Sequence, residues 1–232
     1  MHKITSLLLI LAFASSCMMG VVGNGKVQEQ NREVESFNSI HASGMFEIHI
    51  QQGESARIKL VADENLHELI TTEVRNGTLM ISSSENISKA KELDLYITIP
   101  ELNELDLSGA VSVDTKGELW SENIDISSSG AAEINMNISA SKIRLSLSGA
   151  SEVDLKGQCD DVSVDASGAS EINMYDLECR RMRLDLSGAS EVSAFVSEEL
   201  KISASGASDI RYRGNPKIQQ SLSGAASLKK AE

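Results

Sequence analysis

Five acids recur at nearly fixed spacing: Glu133, Glu152, Glu171, Glu191 and Asp209, separated by 19, 19, 20 and 18 residues. Carboxylates repeated in this way invite three kinds of chemistry. They can form a solvated acidic face, a ladder relieved by oxygen-seeking cations such as Ca²⁺, or, in pairs, the acid and base of glycoside cleavage. Glycoside cleavage needs two carboxylates about 5–10 Å apart. Any stacked ladder meets that distance, so the spacing does not argue for it. A regular ladder also differs from a loop-shaped calcium cage; the solvated face and the cation ladder both stay open. Asn135, Asp154 and Asn173 follow three of the acids by two residues and would add oxygens to a cation ladder.

Cysteine and histidine offer less. Cys159 and Cys179 follow Gly149 and Gly168 by ten and eleven residues. If these segments lie side by side, the Cα separation suits a disulfide, which an oxidising compartment permits; two unpaired thiols are the other reading. No Cys-x-x-Cys or partnering His supports a metal site there, and none is expected. The histidines, His2, His41, His49 and His67, all lie in the first third with no nucleophile motif beside them. His41 and His49 read as solvated strand residues. The chain is therefore read as a non-enzyme without a cofactor.

What must position these residues is a repeat. Ser-Gly-Ala occurs seven times, with glycines at 109, 130, 149, 168, 188, 206 and 224, spaced 21, 19, 19, 20, 18 and 18 apart. The flanks repeat too. Leu147-Ser-Gly-Ala-Ser-Glu-Val-Asp-Leu155 returns as Ala166-Ser-Gly-Ala-Ser-Glu-Ile-Asn-Met174. Ile143, Leu145, Leu147, Gly149, Ser151, Val153 and Leu155 share one parity, while Arg144, Ser146, Ser148, Ala150, Glu152 and Asp154 share the other. Period 2 is the strand period. Thirteen extended residues would span about 43 Å, too long for one straight strand, so the chain bends at the small residues. Coils of about 18–21 residues with two strand runs each define an all-β parallel β-helix, a β-solenoid. A two-sheet sandwich would need hairpin turns throughout, and only Asn76-Gly77 fits one.

Residues 105–228 form the regular repeat. Residues 33–104 read as irregular first coils, with the same parity around Ser43-Gly44-Met45, strands near 56–62, 73–75 with 78–82, and 92–99, and a short helical turn within 65–71. Asn215-Pro216 and Lys229-Lys230 would close the far end, with 229–232 a tail.

Composition sets limits. The chain has 232 residues, 41% of them hydrophobic but only 3% aromatic, 35 serines and a net charge of −13. Such a polyanion is ill suited to nucleic acid. The apolar fraction is too high for disorder, and no run of 18 apolar residues exists to span a bilayer. The core must be aliphatic. At the N-terminus, a basic start (1–3), an apolar run (4–13) and small residues before Cys17 give residues 1–16 the layout of a lipoprotein signal peptide, with Ala14 where Leu is usual. Cleavage there leaves Cys17 to be lipidated and residues 17–32 as a tether. The alternative is an ordinary signal cleaved near Gly20.

The segment Phe37-Asn-Ser-Ile-His-Ala-Ser-Gly-Met-Phe-Glu-Ile-His-Ile50, then Leu93-Asp-Leu-Tyr-Ile-Thr-Ile-Pro-Glu-Leu102 leading into Leu107-Ser-Gly-Ala110, resembles the putative auto-transporter adhesin head GIN family, common in Bacteroidetes. The resemblance covers about 33–228. It implies a β-helical, secreted or lipid-anchored envelope protein and brings no catalytic residues. The expectation is a non-enzymatic adhesin-like module, exported to the outer membrane, periplasm or cell surface. It would meet a glycan or protein through its repeated Ser/Ala/acid face, reach the membrane through a lipid anchor, and bind no nucleic acid. A polysaccharide-active enzyme on the same scaffold and a purely structural envelope protein are the alternatives.

Overall fold

The computed structural model describes residues 20–231. The signal peptide and Cys17 lie outside the described residues. The strands are β1 (Val21–Val22), β2 (Val27–Arg32), β3 (Ser39–Gln52), β4 (Arg57–Asp63), β5 (Ile70–Arg75), β6 (Thr78–Ser83), β7 (Ile87–Lys89) and β8 (Leu93–Ile99). The repeat region follows with β9 (Glu104–Thr115), β10 (Leu119–Ser128), β11 (Ala131–Leu147), β12 (Glu152–Ala166) and β13 (Glu171–Leu186). It ends with β14 (Glu191–Ala204), β15 (Asp209–Arg213), β16 (Lys217–Leu222) and β17 (Ser227–Lys230). The helical turn shrinks to a 3₁₀ turn at Glu64–Leu66.

From β9 onward each strand pairs in parallel with the equivalent strand one coil away, so the molecule is a β-solenoid of about seven turns. The alternation seen in the sequence is the cause. Ile134, Met136 and Ile138 point inward from one run of β11, and Ile143, Leu145 and Leu147 from the next. The parity slips by one where Ser141 and Lys142 are exposed in succession, which is a corner of the coil. Identical positions stack into columns such as Ile134, Val153, Ile172, Val192 and Ile210, all buried. Each burial contributes about 25 cal/mol per Å² of aliphatic surface, which needs no aromatic residue. The small inward column of Ser151, Ser170, Ser190 and Ser208 is buried as well.

The Ser-Gly-Ala corner is held by close backbone approach. A Cβ on Gly149 would lie 1.9 Å from the carbonyl oxygen of Gly130, and one on Gly168 would lie 1.9 Å from that of Gly149. The next residue closes the contact: Ala150 N–H donates to Gly130 O, and Ala169 N–H to Gly149 O, each at 3.1 Å. Gly109 and Gly206 have positive φ, but Gly149 and Gly168 do not. Contact rather than torsion therefore requires glycine in the middle of the column.

The first third is only partly coil-like. β3 joins the stack in full register with β9, Gly44 opposite Gly109, and β8 pairs in parallel with β3. Beyond that the chain reverses: β4 is antiparallel to β8, β2 to β4, and β5 to β6. The β5–β6 hairpin turns at Asn76-Gly77, where both residues have positive φ as a type I′ turn requires. The expected tether is replaced in part by structure, since β1 pairs with β7 and β2 covers the edge of β4. Its polar Gln28-Glu29-Gln30 carries no alternation because an edge strand is held by its backbone, not by a buried face. At the other end Lys229 and Lys230 belong to β17 rather than to a tail, and place charge on the last edge. Pro216 sits between β15 and β16.

Replacing Gly149 or Gly168 by Ala is expected to destabilise the solenoid by about 3 kcal/mol or more, since backbone must move. Gly117→Ala meets nothing within 4 Å; it is expected to cost about 1–2 kcal/mol, from its positive φ alone. Urea denaturation of the three variants measures the difference.

Candidate functional site

The five acids stand in strict register. Glu133, Glu152, Glu171, Glu191 and Asp209 are successive Cα partners, preceded in the column by Glu47 and Ser112 and followed by Ser227. The four glutamates are exposed. The adjacent outward column is Asn135, Asp154, Asn173, Ser193 and Arg211. It binds to the ladder sideways: Asn135 Nδ2 donates to Glu133 at 3.0 Å, and Arg211 bridges Glu191 and Asp209. At the C-terminal end, the Ser227 hydroxyl, with Lys229 and Arg211 close by, holds the Asp209 carboxyl below the usual carboxylate range. The upper ladder is thus bare carboxylate and its last rung is neutralised.

Cys159 and Cys179 are register partners because the shift between Asp154 and Gly157 makes up their unequal distances from Gly149 and Gly168, and both side chains are buried and free. Each thiol lies against a main-chain carbonyl, Cys159 at 3.1 Å from Asp161 O and Cys179 at 2.9 Å from Arg181 O. Burial pushes the Cys159 thiol up to about 11. Burial, then the neighbouring Cys159, pushes Cys179 up to about 12.

Three further groupings carry chemistry that the sequence reading left aside. The outward face before the Ser-Gly-Ala corner holds a groove of about 660 Å³ with Lys142, Arg144, Arg181, Arg183 and Lys201 against Asp125, Asp161 and Glu199. It is a locally basic stripe on an acidic protein. Arg181 clamps Asp161 with two contacts of 2.7 Å, lowering the Asp161 carboxyl. A second groove, about 560 Å³, runs along the column Trp120, Ser139, Gln158, Glu178 and Phe195. Trp120 is 60% exposed. Its backbone is pinned by the Gln52 side chain, which accepts Trp120 N–H at 2.9 Å and donates to Trp120 O at 3.0 Å. The aromatic surface missing from the acid face is therefore present on another.

The third grouping corrects the reading of His41 and His49 as solvated residues. His41 Nδ1 lies 2.7 Å from Asp106, whose other oxygen accepts from Ser127 Oγ at 2.7 Å. Asp106, not His41, is the middle member, so this trio does not relay a proton from serine to imidazole. His49 sits between Asp114 and Asp94 and stacks on Tyr96 at 4.7 Å. Its partners arrive from strands 45 and 65 residues away, a juxtaposition that only the β9–β3–β8 register creates.

The fold is that of a β-solenoid with a repetitive outer face along which polar groups are dispersed. The family model described as putative auto-transporter adhesin, head GIN domain, matches residues 36–216, and the chain belongs to that family. No curated protein matches the chain. It is similar to the crystal structure of a putative adhesin from Bacteroides fragilis, with 24% identity and a TM-score of 0.85 over 91% of this chain and all of that one. It is also similar to a putative lipid binding protein from Parabacteroides distasonis (21%, TM-score 0.76) and a putative adhesin from Parabacteroides merdae (18%, TM-score 0.69). Both cover 91% of this chain and 99% of theirs. These likenesses establish the fold. The adhesin family places the chain among cell-surface or envelope proteins, and no helix among the described residues is long and apolar enough to cross a membrane.

The thiols give a pH prediction. An unfolded thiol loses its proton near ~8.5, whereas these keep theirs to about 11 and 12. Their contribution to stability is fully present below the unfolded value and is lost as pH rises through the folded ones. The double variant Cys159→Ala/Cys179→Ala should lose less stability than the parent between pH 9 and 11, read by urea denaturation under reducing conditions.

Proposed function

We propose that this chain is a non-enzymatic cell-envelope binding module. It is exported, anchored through a lipid on Cys17, and makes repeated weak contacts with a surface glycan or protein along its outer face. The observation that carries the reading is the unbroken register of Glu133, Glu152, Glu171 and Glu191. Identical groups one coil apart, about 4.8 Å, offer a partner with its own repeat many equivalent contacts, and linked weak contacts combine into strong avidity. Membership of the adhesin family supports the same reading.

A polysaccharide-active enzyme is the second reading, favoured by the mixed charges of the groove around Arg181 and Asp161. It predicts the release of reducing ends or unsaturated sugars from polysaccharide, which the module does not.

The purified mature chain is expected to bind saturably on a glycan and extracellular-matrix protein array. Glu152→Lys combined with Glu171→Lys should abolish that binding and Trp120→Ala should leave most of it. Unchanged binding in the double variant would remove the acidic face from the account. Loss in Trp120→Ala alone would transfer the site to the aromatic groove, and absence of any saturable binding would leave a structural role.

A further inference from the structure

The cluster around His49 repeats nowhere along the solenoid and plays no part in the binding reading. We propose that Glu47, His49 and Asp94 form a site for one divalent transition-metal ion of the zinc class, with Asp114 orienting the histidine.

The strand geometry assembles the donors. Glu47 and His49 are two residues apart on β3 and share its outward face. Asp94, on β8, is the register partner of Glu47, and Asp114, on β9, is that of His49. The imidazole is flanked on both sides, and its two nitrogens are sorted. Nδ1 is taken by the Asp114 carboxylate, while Nε2 lies 3.2 Å from Asp94 Oδ1. A carboxylate on the far nitrogen is the arrangement that fixes the tautomer and orientation of metal-binding histidines. Stacking on Tyr96, with ring planes 30° apart, holds the ring from its face.

Distances suit a shared ion. Two ligands each 2.0–2.1 Å from one Zn²⁺ lie about 3 Å apart, close to the Nε2–Asp94 separation. A Glu47 oxygen completes a trio of donor atoms that all lie within 4.8 Å of one another. Glu47 is exposed, so its side chain is free to rotate the remaining distance, whereas the His49 and Asp94 side chains are only 18% and 14% exposed. Two held ligands and one adjustable ligand leave the outer side open for water or a further group.

Charge points the same way. Glu47 and Asp94 face each other directly across two strands, where like charges are destabilising. Among the described residues no Lys or Arg forms an ion pair with either. Lys59 and Lys116 stand over the Tyr96 ring instead, and Lys59 pairs with Glu29. The donor set differs from the acid ladder, which offers one kind of hard oxygen. One imidazole with two carboxylates suits zinc and its neighbours, whereas Ca²⁺ takes six to eight oxygens.

Isothermal titration of the purified chain with ZnCl₂, and separately with CaCl₂, tests the site. One saturable zinc per chain is expected and no saturable calcium. His49→Gln should weaken zinc binding at least 100-fold, Asp114→Asn by 10–100-fold, and Glu152→Gln/Glu171→Gln not at all. Zinc should also raise the Tm of the parent but not of His49→Gln; equal metal-free Tm values would show that the variant is folded. Absent zinc binding, or zinc binding equal in the parent and in folded His49→Gln, would overturn the proposal.

Discussion

The structure depends on how closely one coil's backbone can approach the next at a single column. From Gly130 to Gly188, each glycine sits over the carbonyl of the glycine before it, so near that a Cβ would lie 1.9–2.0 Å from the oxygen. The alanine N–H that follows then reaches that carbonyl. With the corner pinned, every other column is in register by consequence, because the coils contain nearly equal numbers of residues. Where they differ, the slack appears as steps in register: one residue between Asp154 and Gly157 on β12, and on β13 three residues between Met174 and Glu178, one of them returned between Cys179 and Arg181. These lie away from the glycine column. The acid ladder therefore inherits its order from a steric contact that does not involve it, whereas the cysteine pair owes its alignment to the shift after Asp154.

The same stacking turns composition into faces. A residue repeated once per coil becomes a stripe, so the negative charge of the chain is not spread evenly. It is concentrated after the corner in Glu133 to Glu191, while the face before the corner alternates Lys142, Asp161, Arg181 and Glu199 in one column. Cross-coil pairs such as Arg181 with Asp161 are partly exposed. Such pairs contribute about 0–1 kcal/mol each, and their larger effect is to offset the acids on the face before the corner, while among the described residues Glu133, Glu152 and Glu171 have no ion pair.

The repeat region was legible from the chain itself. Parity at Ile143 to Leu155 identified the buried column, and the Ser-Gly-Ala period identified the coil, because each coil performs the same packing task and so repeats the same residues. The acids could be placed for the same reason, and the cysteines to within one residue. The first third was less legible. β2 is polar on both faces and owes its strand state to the backbone of β4. β4 carries a strand pattern that says nothing of direction, so its antiparallel pairing with β2 and β8 was hidden, whereas Asn76-Gly77 marked the turn between β5 and β6. Trp120 and Phe195 are 75 residues apart in sequence, and nothing local marks them as two ends of one column.

Sequence alone determined the period, the parity and hence the stripes, since a stacked coil maps residue spacing directly onto spatial neighbours. The tertiary structure decided what lies where the period fails. Glu47, His49, Asp94 and Asp114 meet because β3 is flanked by β9 on one side and β8 on the other, at unequal sequence distances. His49 meets Asp114 through the glycine stack, each five residues after Gly44 or Gly109, but no periodicity encodes the arrival of Asp94; that arises from closing the end of the stack, where β8 covers the otherwise open edge.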